Sequence, residues 1–86
     1  MKSKMEGYEL INILDEYLLI PVGINIINKK GIICINESAA YLWNQIKIGK
    51  DSNELAISLS KKYDLDKEIS EEHVNIFISN LDKLLV

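Results

Sequence analysis

The sequence predicts an α+β fold, a small N-terminal antiparallel β-sheet followed by three α-helices, and a change of period along the chain is the first sign of it. Up to Ile35 the apolar residues come in short, β-branched runs separated by turn residues, whereas from Asn36 onward they recur at a spacing near ~3.6. Helix signals at Asn36, at Asp51 and around residues 64–66 then divide the second part of the chain into three segments. Strands first and helices second is the order of an α+β domain, and a small sheet carrying three helices is also the general plan of a winged helix.

The chain is read as one domain, residues 1–86, with a modest core, because a chain of this size buries only a little over ~60% of its unfolded surface. At 48% hydrophobic and 27% charged residues it belongs with globular chains, not disordered ones. Residues 1–7 are polar, end in a glycine and are expected to be loose. Residues 8–14, YELINIL, are β-prone, and Asp15-Glu16 reads as a two-residue turn into a second strand over 17–22, which makes a hairpin. Pro21 lacks an N–H and is expected at that strand's end or on an outer edge. Gly23 allows a bend, residues 24–27 read as a further short strand, and residues 28–31 as a turn with Gly31 in the left-handed conformation. Ile32, Ile33, Cys34 and Ile35 form a strand apolar on both faces, so that each side calls for a cover.

Asn36 is a good N-cap for the first helix, with Glu37 placed to favour its dipole. Ala39, Ala40, Leu42, Trp43 and Ile46 make its inward stripe, and Gly49 closes it. Asp51 with Glu54 forms a capping-box pattern that opens a second helix with apolar positions Leu55, Ala56, Leu59 and Tyr63. The third helix begins near Asp66 or Ser70 and runs toward Leu85. Val74, Phe77, Ile78, Leu81 and Leu85 form its core-facing stripe.

Composition narrows the function as well. The net charge is -3 and the ten basic residues are scattered, which argues against a partner held through phosphates. A single cysteine permits no intrachain disulfide and suits a reducing compartment. With no apolar run long enough to span a bilayer, the chain reads as cytoplasmic, without a membrane partner. Catalysis finds few candidates, since Cys34 and His73 are each the only residue of their kind and no nucleophile motif surrounds them. No metal-ligand spacing and no glycine-rich phosphate loop occur, so neither metal nor cofactor is expected and the chain reads as a binding module, not an enzyme.

The run IICINESAAYLW, a hydrophobic strand ending in an Asn-Glu helix cap and then Leu-Trp, resembles the PqqD-like family of peptide-binding chaperones, also called RiPP recognition elements. The similarity continues through a second helix ending in KKYDLD and a third helix with Val74, Phe77, Ile78 and Leu81 in the family's pattern. It covers roughly residues 8–86. The chain departs from that pattern at its C-terminal end, where the family's glycine followed by small apolar residues is replaced by Lys83-Leu84-Leu85-Val86. The resemblance implies a winged-helix-like fold that binds the leader region of a ribosomally made precursor peptide and presents it to a modifying enzyme, often a radical SAM enzyme. It also implies that the leader adds as a strand beside the last strand and against the third helix, a β-augmentation. The peptide-binding candidates are then Ile32, Ile33, Cys34 and Ile35 on the strand, with Ile69, His73, Ile76, Phe77, Asn80 and Leu84 on the helix. Ile69 and Ile76 lie off the core-facing stripe, beside His73 and Asn80. Two other functions fit the same plan: a winged-helix nucleic-acid-binding regulator, disfavoured because no helix is basic, and a structural or dimerisation subunit pairing through the same strand as a homodimer.

Overall fold

A computed structural model describes residues 5–23 and 31–85. Three strands, β1 (Tyr8–Ile13), β2 (Glu16–Pro21) and β3 (Ile33–Ile35), precede three helices, α1 (Glu37–Ile48), α2 (Ser52–Tyr63) and α3 (Lys67–Leu84). The expected α+β order is therefore observed. The strands form one antiparallel sheet in the order β1-β2-β3. The strand expected over residues 24–27 and the turn at 28–30 fall outside the described residues.

The hairpin turns one residue earlier than the sequence reading placed it. Ile13 pairs with Glu16, so Leu14 and Asp15 make the turn, and Leu14 adopts the left-handed conformation with φ 56°. A leucine is disfavoured in that conformation, which the pairing of the two strands imposes here. Pro21 ends the central strand beyond the reach of β3, whose pairing stops at Leu19, so its missing N–H breaks no ladder.

One face of the sheet packs on the helices. Tyr8 and Leu19 are buried on that face, with Leu10, Ile33 and Ile35 half-buried against the core. Trp43, Leu42 and Ile46 from α1, Leu55 and Leu59 from α2, and Val74, Phe77 and Leu81 from α3 complete the core. Trp43 is thus a core residue, as its place on the inward stripe implies. The two-sided cover expected for the last strand is not found among the described residues. Ile33 and Ile35 point inward, Cys34 is exposed on the opposite face, and Ile32 precedes the strand with 61% of its surface exposed. Residues 5–7 are anchored where polar composition suggested looseness: Met5 is fully buried in the core, and the Val22 N–H donates to the Gly7 carbonyl at 3.1 Å.

The helix boundaries follow their caps. The Asn36 side chain accepts from the Ala39 N–H at 2.8 Å, and Gly49 closes α1 with φ 113°. Asp51 and Glu54 form the reciprocal capping box that starts α2, and Asp64 ends it in the left-handed region. Asp66 precedes α3 without bonding its own helix through the side chain. Among the described residues no helix is long and apolar enough to cross a membrane.

Candidate functional site

The geometry of the hairpin decides which backbone groups of β3 are available. Antiparallel pairs alternate between hydrogen-bonded and non-bonded, and the Val22 N–H to Gly7 carbonyl bond fixes the phase. Counting along the register, Glu9–Ile20, Ile11–Leu18 and Ile13–Glu16 are the bonded pairs of β1 and β2. Leu18 therefore directs its N–H and carbonyl toward β1, while Tyr17 and Leu19 direct theirs toward β3. Their partners there are Ile35 and Ile33. Cys34, opposite Leu18, is left with its N–H and carbonyl aimed away from β2. Among the described residues β3 pairs with β2 alone, and none of them supplies a strand to meet the outward-facing Cys34 peptide groups.

At the end of that edge the chain turns into α1, and a cleft of about 230 Å³ opens between the start of α1, α2 and α3. Its apolar lining is Ala39 and Leu42 from α1, Leu59 from α2, and Phe77 with Ile76 from α3. Four polar residues, Asn36, Ser38, His73 and Asn80, complete the lining. Asn36 is held in place by its capping role and by the Ser38 hydroxyl, which donates to the same Asn36 oxygen at 3.1 Å. His73, Ile76 and Asn80 fall on one helix face because their spacing of three and four residues matches the turn of α3. Ile76 keeps 52% of its surface exposed beside the nearly buried Phe77. An apolar cleft with a few polar groups has the make-up of a site for one side chain of a ligand.

The ten residues singled out in the sequence are thus distributed unequally. His73, Ile76, Phe77 and Asn80 line the cleft together. Cys34 turns its backbone groups away from β2, while Ile33 and Ile35 use their backbone groups on β2 and their side chains on the core. Ile32 lies exposed just before the strand, and Ile69 and Leu84 are exposed at the two ends of α3 without lining the cleft. The sequence reading missed Asn36, Ser38, Ala39, Leu42 and Leu59. Capping and core packing accounted for Asn36, Ala39, Leu42 and Leu59 in one dimension, and nothing there showed that both ends of the cleft would share them.

No family model matches the chain, and no curated protein matches it. A solved structure does. "TbiB1 in Complex with the TbiA(beta) Leader Peptide" is similar over 93% of this chain and 90% of that one, with a TM-score of 0.73. The two sequences are 18% identical, so the likeness is one of fold.

Proposed function

We propose that the protein binds the leader region of a ribosomally synthesised precursor peptide. The leader adds as a strand along the open edge at Cys34 and sends a side chain into the cleft on α3. The observation that carries this reading is the outward-facing peptide groups of Cys34 beside an apolar, polar-rimmed cleft. Backbone bonds at the edge would supply affinity, and the cleft would set the register. The fold it shares with TbiB1, a protein solved with a leader peptide bound, supports the same reading.

In this account the protein is a non-catalytic member of the PqqD-like group and presents its peptide to a modifying enzyme, a radical SAM enzyme being the kind the family resemblance implies. Ile32, Ile69 and Leu84 would border the bound strand. An apolar strand edge that no described residue pairs with is an aggregation hazard if left bare, which gives a reason for a natural occupant. The test is a heteronuclear NMR titration with leader segments of candidate precursor peptides. Shifts concentrated on residues 32–36 and on His73, Ile76 and Asn80 are expected. If the mass instead rises with protein concentration and the same residues shift without peptide, the edge pairs with a second copy and the reading is lost.

A further inference from the structure

The cleft does not end at α1. A neighbouring hollow shares Asn36, Ser38, Leu59 and His73 with it and extends to Glu37 and Tyr63. Beyond these two residues lies a third hollow of about 210 Å³, lined by Tyr17, Glu37, Tyr41, Asn44 and Tyr63 and entered by Lys62. The three hollows form a chain along the surface, each linked to the next by common residues.

The third hollow is aromatic. The rings of Tyr41 and Tyr63 meet edge to face, with centroids 6.2 Å apart and planes at 87°. The Tyr63 hydroxyl donates to a Glu37 carboxylate oxygen at 3.1 Å, which fixes the carboxylate at one side of the rings. The Lys62 ammonium sits over both, 5.1 Å from the Tyr41 centroid and 5.7 Å from that of Tyr63. Lys62 itself is an exposed side chain in the last turn of α2 and has no carboxylate partner among the described residues.

Ring faces carry negative charge density and attract cations, and a carboxylate beside them adds to that attraction. An anion would meet repulsion from both. The resident ammonium shows which sign of charge the hollow accepts, and its flexible four-carbon stem gives it freedom to leave. A guanidinium would be a better occupant than Lys62, because its plane stacks on a ring while its fork reaches the Glu37 carboxylate.

We propose that this hollow is a cage for a cationic side chain, with Lys62 as its occupant in the free protein and an arginine or lysine of the bound peptide as its occupant in the complex. The choice of a peptide as the source rests on the function proposed above. The cage itself does not, and it can be tested alone.

The test uses N-acetyl-L-argininamide as probe, with N-acetyl-L-citrullinamide as its neutral counterpart of the same shape, against the labelled protein in an NMR titration. Argininamide is expected to shift Tyr41, Lys62 and Tyr63, and citrullinamide to leave them still. Lys62→Gln removes the resident and should strengthen argininamide binding several-fold, while Tyr41→Leu should abolish it. Should Tyr41→Leu fail to fold, Glu37→Gln, an exposed change, serves instead and should weaken the probe. Equal shifts with both probes, or no shift in either the wild type or Lys62→Gln, would overturn the cage. A protein that bound leader peptides yet ignored argininamide would lose only the cage. One that held argininamide but no leader would keep the cage and lose the peptide as its source.

Discussion

Replacing Cys34 by proline separates the folding role of β3 from the binding role proposed for it. In most strands a proline removes a ladder hydrogen bond, but the register here sends the Cys34 N–H away from β2. The substitution therefore spares the bonds made by Ile33 and Ile35, and the preceding residue, already extended, suits a following proline. Proline's ring fits edge strands whose N–H faces outward, so the domain should stay folded with a loss of about 1 kcal/mol or less. Peptide binding should respond far more. An added strand would find no donor at Cys34, and leaving one of its carbonyls unsatisfied costs about 1–3 kcal/mol, or roughly 5- to 150-fold in affinity. Cys34→Ser keeps the N–H and changes only a side chain on the exposed face, so it should bind as the wild type does. Calorimetric titration with a leader peptide that binds the wild type, alongside thermal denaturation of each variant, reads both effects. A folded Cys34→Pro protein that binds within about twofold of wild type would refute the edge assignment.

Three further outcomes are expected. Ile76→Ala should leave stability within about 0.5 kcal/mol, since half the side chain is already in water. It should weaken leader binding by roughly 0.8–1.5 kcal/mol, the worth of burying that exposed half, and calorimetry of a folded variant with undiminished affinity would remove Ile76 from the site. Ser70 is fully buried on α3, and its hydroxyl has no hydrogen-bond partner among the described residues. Ser70→Ala should thus stabilise the fold by about 1 kcal/mol in urea denaturation, and a destabilised variant would show that the hydroxyl is satisfied. Burial, together with the Glu37 carboxylate that accepts its hydrogen bond, raises the Tyr63 phenol above its ordinary value of 10.0. The folded state thus favours the neutral phenol. That stability is fully present below about pH 10 and is lost as pH rises from there through the folded-state value. Melting temperatures followed from neutral to strongly alkaline pH should fall more steeply for wild type than for Tyr63→Phe, and parallel curves would count against the effect.

Much of this architecture could be read from the chain because its signals are local. Asn36, the Asp51–Glu54 box and Gly49 each act within one helical turn, and each marks a real helix end. The stripe of Val74, Phe77, Ile78, Leu81 and Leu85 is likewise set by the helical period of α3 and its cap residue; four of the five are buried and Ile78 is partly buried against the core. The turn at Leu14 was misplaced because hairpin register is decided by the pairing of whole strands, which here imposes a left-handed leucine against its own preference. The candidate cleft was half legible. His73, Ile76 and Asn80 stood out as a mixed flank on one helix face, whereas Asn36, Ser38 and Leu59 come to it from other elements and only the packed chain brings them near. That Cys34, and not its neighbours, turns its backbone groups away from β2 could not be seen in IICI at all. It follows from the phase of a hairpin whose last bond joins Gly7 to Val22, residues well upstream of β3 in the sequence.

The central claim concerns one amide, and hydrogen exchange at Cys34 tests it most directly. In the protein alone the Ile33 and Ile35 amides, bonded to β2, should exchange slowly and the Cys34 amide fast. Saturating leader peptide should slow Cys34 to the pace of its neighbours. A bound complex in which Cys34 still exchanges as in the free protein would contradict strand addition at this edge.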